Sequence, residues 1–499
     1  MEDNKKEKIK YNPWKMGVLI CLGLMSVFAL YLSMRFMTDS VDYQVTEEDH
    51  FKYGSTGGER LAGIPVGIWN ALPGLCRRHL PKGDFAHGYE AFGFIYEKGK
   101  DYPVGSSIRR HAGLDRVFLN CATCHAGLVR TSSEADPMLV LGMPSNTVDL
   151  QAFQSFMFNC VTDERFNPID IITEAEAAGA DYDLIDKITI GVVVAPLVKD
   201  LLLLLRDRFS YMAELPRFGP GRYDTFGPAK VLMNWDMSKI PPAEQVGVVD
   251  YPSIWNHSKR LGMQLHWDGN NISVEERNRS ASFGTWAMPV TLDRQSIKRI
   301  ENWIWDKAQP PKYPLPINLE LSKKGAVIYQ ALCRDCHGEN GQDFTGKFVG
   351  EVVPIKQIGT DRNRLDSYTY DLAVNQNTLY AGFEKDRFKH FRKTWGYANM
   401  PLDGLWLRAP YLHNGSVPTL RDLLSPAAER PQIFYRGHTV LDSKDLGFVH
   451  TKPTEKGRIL FRIDTRVRGN GNSGHEGFIY GTELSEPDKA ALIEYLKTF

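Results

Sequence analysis

Cys-x-x-Cys-His occurs twice in this chain, as NCATCHAG (120–127) and LCRDCHGENG (332–341). The two copies use four of the seven cysteines in 499 residues. Composition alone predicts roughly 0.003 occurrences in a chain this long, so the repeat is not accidental. The spacing suits c-type haem attachment: two thiols add to the vinyl groups, and the next residue reaches the iron. Zinc would need the two pairs to meet in space and would leave each trailing histidine unexplained. A thioredoxin-type dithiol needs a βαβ setting, which neither flank offers. The repeat therefore implies two covalent haem c groups, on Cys121, Cys124, Cys333 and Cys336, with His125 and His337 as iron ligands.

What lies on the opposite faces decides function, since a closed iron only exchanges electrons and an open one binds oxygen or peroxide. No histidine occurs between His125 and His257. The stretch where a second ligand to the first iron would most simply lie therefore contains no imidazole. His257 or His266, further along, would close that iron and make the chain a pure electron carrier.

The chain carries 60 basic and 60 acidic residues, and this balance gives no sign of a nucleic-acid partner. Met16–Met34 is nineteen residues without a charge, about 28 Å as a helix and enough to span a bilayer. Lys5, Lys6, Lys8, Lys10 and Lys15 precede it, and Asp39, Asp42, Glu47, Glu48 and Asp49 follow. The positive-inside rule then makes residues 1–15 a cytoplasmic tail and 16–36 an inner-membrane anchor. The haem domains are expected in the periplasm, which suits c-type haem and an oxidising environment. Cys76 and Cys160 could pair there, but sequence does not establish their proximity.

Two haem domains are expected, at 45–310 and 318–499, in a mainly α fold with the first domain enlarged by insertions. The four prolines of AQPPKYPLPI (308–317) mark the linker. Residues 45–75 read as irregular, and Gly113–Asn120 as a short helix running into the first motif. Within 170–215, Pro196, Lys199 and Asp200 interrupt an apolar run, so two amphipathic or buried helices are expected. Leu319–Leu332 has helical spacing and leads into the second motif. Ser485, followed three residues later by Asp488, has the pattern of an N-cap for a last helix.

Three further stretches carry a family resemblance: QLHWDGNNISVEERN around Trp267, APYLHNGSVPTL (409–420), and GHEGFIYGTELSEPDKAALIEYLKTF (474–499). Together with the haem motifs they resemble the bacterial di-heme cytochrome c peroxidase superfamily, and most closely its di-heme rubber oxygenase branch. The resemblance implies His475 as the sixth ligand of the second haem. His413 then lies near that haem as the alternative ligand, and Trp267 lies between the haems as an electron relay. Peroxidases of this group carry Gln and Glu ten and twenty residues after that Trp; here Arg277 and Ala287 stand there. Without the carboxylate, peroxide cleavage loses a general acid–base worth about 10²–10⁴-fold. The oxygenases surround the first iron with apolar residues, which Phe283, Trp286 and Met288 could supply here. Calcium, common between the haem domains of the superfamily, has no typical residues to support it.

The expected catalytic set is thus Trp267, Phe283 and Arg277, acting with dioxygen or peroxide on an apolar substrate. The leading expectation is an oxygenase with an open first haem and a bis-His second haem. A peroxidase fed by a small periplasmic donor and a non-catalytic electron-transfer cytochrome stand as alternatives.

Overall fold

The computed structural model describes residues 13–83 and 85–499. The lysines at 5–10, on which the anchor's orientation partly rests, lie outside the described residues. Pro13–Met37 is one helix, exposed along its length and apolar enough to cross a membrane. Its last turn is fixed to the body, because Arg35 pairs with Asp183 at 2.8 Å and also with Asp186.

The first motif is delivered by a strand. Four short antiparallel strands, Asp39–Val41, Ser106–His111, Leu114–Leu119 and Ile64–Pro65, form one sheet in that order. Ser106–His111 pairs with Leu114–Leu119 from Ser106↔Leu119 to His111↔Leu114, leaving a two-residue turn. Ala112 and Gly113 both take positive φ, 51° and 79°, the conformation that tight hairpins of right-twisted strands require. The helix expected over 113–120 is therefore a hairpin strand. Residues 45–75, expected to be irregular, instead hold helices Glu47–Tyr53, Glu59–Ala62 and Val66–Leu75.

The apolar run at 184–208 is also continuous. Leu184–Ile188 passes through a π-turn, Thr189–Val194, into Ala195–Arg208. Pro196 lies inside this continuous helix directly after the π-turn, whose wider turn accommodates the N–H that proline lacks. Leu184, Ile188, Val192, Val193, Leu197 and Leu204 are all more than half exposed. This outward apolar face begins where Arg35 ties down the anchor.

Sixteen short strands in seven small sheets accompany the helices among the described residues, more strand than a mainly α reading anticipates. Residues 308–317 are free of helix and strand, as a linker would be, yet Tyr313 and Leu315 pack on the main core. That core joins Phe51, Ala122, Ala126 and Trp255 to Trp406, Leu407, Leu492 and Phe499, so both halves bury apolar surface together. Arg130 adds a polar stitch, donating its backbone N–H to Thr439 O at 2.8 Å and pairing with Glu455 at 2.6 Å. Cys76 and Cys160 form a disulfide within the N-terminal half.

Candidate haem centres

Asn120 fixes the first motif. Its side chain accepts from Ala122 N at 2.9 Å and donates to Lys52 O and Gly54 O at 3.2 and 3.0 Å. The turn Cys121–Thr123 follows, and His125 N closes onto Cys121 O at 3.1 Å. Cys121 and Cys124 remain unpaired thiols, pushed up to about 11 and about 12 by burial. Burial, aided by the Arg277 charge, pushes His125 down to about 3, so its imidazole stays neutral and able to bind a metal.

Helix Leu319–Leu332 ends at Cys333, and a single turn, Arg334–His337, completes the second motif. Tyr329 buttresses it through a hydroxyl donated to Gly338 O at 2.8 Å. His337 Nδ1 lies 2.8 Å from Met400 O. A carbonyl can only accept, so Nδ1 carries the proton and the Nε2 lone pair is left for a metal.

His475 lies next to the His337 ring. Its ring centre stands 6.4 Å from that of His337, with the planes 43° apart. Two metal–nitrogen bonds of about 2.0 Å, plus roughly 1.1 Å from each nitrogen to its ring centre, sum to about 6.2 Å. The pair is thus spaced for one iron between them, which is the fit test a haem has to meet here. The backbone holds His475 in the left-handed region, φ 54°, with its N–H on Ile358 O at 2.8 Å. Arg430 secures the preceding carbonyl, Gly474 O, at 2.9 Å, and Tyr480 packs on the ring at 4.7 Å. Burial pushes His475 down to about 3, so it too is neutral.

His413 is engaged elsewhere: it stacks on Tyr397 with ring centres 4.0 Å apart, and its Nε2 lies 2.9 Å from the Tyr397 hydroxyl. Trp267 donates its indole N–H to Asp250 O at 2.8 Å, and its own carbonyl accepts from Ala398 N at 2.8 Å. Asp250 lies two residues before Pro252, whose backbone acts on His125, and Ala398 two before Met400, which holds His337. Trp267 therefore bridges the two segments that back the proximal histidines. Buried ion pairs fix this bridge, Arg364 to Asp268 at 2.8 Å and Arg436 to Asp250 at 2.5 Å.

An open cleft lies between Arg277, whose charge acts on Cys121 and His125, and Met400, whose carbonyl holds His337. His257, His266, Met263 and Arg277 line it from one half, and Gly350 and Met400 from the other. No carboxylate lines it among the described residues. Arg277, on helix Val274–Gly284, lines the cleft and donates to His257 Nε2 at 3.0 Å. Phe283, on the same helix, packs instead against Tyr380 and Phe388, with ring centres 4.6 and 5.6 Å away. Neither Phe283, Trp286 nor Met288 lines the cleft, and Met288 is 42% exposed. Among the described residues no aromatic ring stands opposite His125 as His475 stands opposite His337. Among the described residues no group of three or more His, Cys, Asp or Glu side chains is arranged to hold a metal ion.

Sequence reasoning missed Met400, Pro252 and the Arg277–His257 contact. The first two act through backbone carbonyls, which every residue possesses, so no residue type signals them.

Two Cys-x-x-Cys-His turns, one with an imidazole beside its histidine, define a c-type cytochrome with covalently bound haem, and hence an oxidoreductase. A family model described as RoxA-like, cytochrome c-like matches residues 396–435, the stretch holding Met400 and His413. The chain is also similar to two proteins of Sinorhizobium fredii (strain NBRC 101917 / NGR234). The uncharacterized protein y4iM is 29% identical over 314 residues, covering 54% of this chain and 68% of its own length. The uncharacterized protein y4iJ is 25% identical over 523 residues, covering 82% of this chain and 84% of its own.

Proposed function

We propose that this protein is an exported, membrane-anchored oxidoreductase with two haem c groups, an oxygenase whose N-terminal centre reacts and whose C-terminal centre carries electrons. The observation that carries the reading is asymmetry. His337 has an imidazole partner at ligation distance, and among the described residues no ring is so placed against His125. Haem c, held by Cys121 and Cys124 and by Cys333 and Cys336, supplies one-electron chemistry, and dioxygen binding where a coordination position is free.

The protein's own part is positional. Met400 O orients His337, His475 closes the second centre, and Trp267 links the backbones behind the two proximal ligands. The absence of a lining carboxylate argues against peroxide heterolysis, which needs a group to move a proton. An apolar, unsaturated lipid of the membrane is the substrate class this reading favours. The exposed apolar face at 184–204 starts at the anchor's end and supports access from a bilayer.

The test is oxygen consumption by purified full-length protein with a detergent-solubilised isoprenoid lipid. Consumption of oxygen with formation of a cleaved carbonyl product supports the proposal. Rapid peroxide turnover with a reduced donor, and no oxygen uptake, would replace it with the peroxidase reading. His257 and His266 in the cleft sustain a second reading, the electron carrier, if either closes the first iron.

A further inference from the structure

Most buried guanidinium groups among the described residues meet a carboxylate. Arg260 and Arg408 share Asp403, Arg364 has Asp268, Arg436 has Asp250, Arg130 has Glu455 and Arg109 has Asp293. Arg222 instead donates to the carbonyls of Phe218 and Asn414 and to the Asn470 side chain, and Arg430 to the carbonyls of Asp422, Ser425 and Gly474. Arg277 differs from all of them. Its one hydrogen bond is to a neutral ring nitrogen, His257 Nε2, and among the described residues no carboxylate lies within ion-pair reach.

That bond also fixes the histidine. Guanidinium only donates, so Nε2 accepts and the ring proton sits on Nδ1. His257 Nδ1 is buried with no acceptor among the described residues. A half-buried cation with no carboxylate partner and a buried N–H with no acceptor thus adjoin the same cleft, and the cation's charge acts on Cys121. A charge removed from water persists when an opposite charge meets it, and a guanidinium fork suits two oxygens of one anionic group. Elsewhere in the wall Met263, Leu265, Val274 and Pro401 carry no charge, and burial pushes His266 down to about 4, so it is neutral. Arg260, also in the wall, is already paired with Asp403.

We infer that Arg277 and His257 form an anion-holding site in this cleft, which takes a carboxylate-type oxygen anion. Two sources share that chemistry: a propionate of the first haem, or a small anion entering from solvent toward the open iron. The inference rests on the haem reading of Cys121–His125 only for the choice between those sources.

The experiment uses ferric full-length holoprotein, first assayed for two haems per chain by pyridine haemochrome. A shortfall there counts against the haem reading and not against this site. Wild type, Arg277→Gln, Arg277→Lys and His257→Gln are then titrated with formate and, after reduction, with carbon monoxide. Resonance Raman spectra report the propionate bending modes. If the anion comes from solvent, Arg277→Gln weakens formate at least tenfold, Arg277→Lys much less, and carbon monoxide affinity holds. If it is a propionate, formate affinity holds while one haem's bending mode shifts in Arg277→Gln and stays in Arg277→Lys. His257→Gln, which keeps the charge, gives the same pattern more weakly and decides the matter should Arg277→Gln not fold. Unchanged formate affinity together with unchanged bending modes overturns the site.

Discussion

Replacing His475 with glycine separates ligation from folding. At φ 54° a residue with a Cβ is strained by about 1–2 kcal/mol, and glycine is not. Removing the ring also deletes its contact with Tyr480 at 4.7 Å, a loss of about 1 kcal/mol. The two roughly cancel, so His475→Gly should unfold within about 1 kcal/mol of wild type before haem is counted. The ligation effect is far larger. The 6.4 Å spacing admits one iron and no water between the rings, so the variant leaves a space shaped for a free imidazole. Electron paramagnetic resonance and absorption spectra should show one of the two haems passing from low to high spin. Added imidazole should restore the low-spin signal of that haem alone. A variant that stays low-spin without imidazole would refute the reasoning, and it would direct attention to His413.

Cys76→Ser opens a disulfide spanning 84 residues, and chain-entropy reasoning puts the loss at about 4–5 kcal/mol at most, readable as a lower thermal midpoint under oxidising conditions. Glu455 is nearly buried; hydrogen bonds from His438, Thr439 and Arg130 outweigh burial and hold it at about 2. Its folded value lies below the unfolded one, so it stabilises above about pH 4.5 and loses that contribution as pH falls toward 2, about 3 kcal/mol in all. Urea midpoints of Glu455→Gln should therefore be lower than wild type at pH 7 and converge with it near pH 2; parallel curves would contradict this. Trp267→Phe removes the indole bond to Asp250 O and should leave static haem spectra alone while slowing electron transfer between the centres at least tenfold in stopped flow. An unchanged rate would remove Trp267 from the route.

Chemistry was more legible in the sequence than architecture. The haem motifs declare themselves because covalent attachment demands a fixed spacing of rare residues. Ser485 does cap the final helix through Asp488 N, a local pattern that needs no tertiary context. Leu319–Leu332 is a helix for the same kind of reason. Residues 113–120 misled because Leu114, Val117 and Phe118 also fit helical spacing, and only the positive φ of Ala112 and Gly113 turns them into a hairpin. Pro196 suggested a break, and a π-turn upstream absorbed it. His475 was reached through family resemblance, since nothing local distinguishes it from the other histidines. The proximity of Cys76 to Cys160 and of Arg277 to His257 depends on long-range packing, which spacing does not encode. Phe283 shows the reverse: family resemblance offers it as part of an apolar wall around the first iron, while its helix turns it into an aromatic cluster with Tyr380 and Phe388.

Carbon monoxide binding to the fully reduced full-length protein tests the central asymmetry most directly. The account predicts one carbon monoxide per chain, bound to the haem whose cysteines are Cys121 and Cys124, with the other haem unchanged. No binding would mean that a side chain already closes the first iron, and two equivalents would mean that His475 does not close the second.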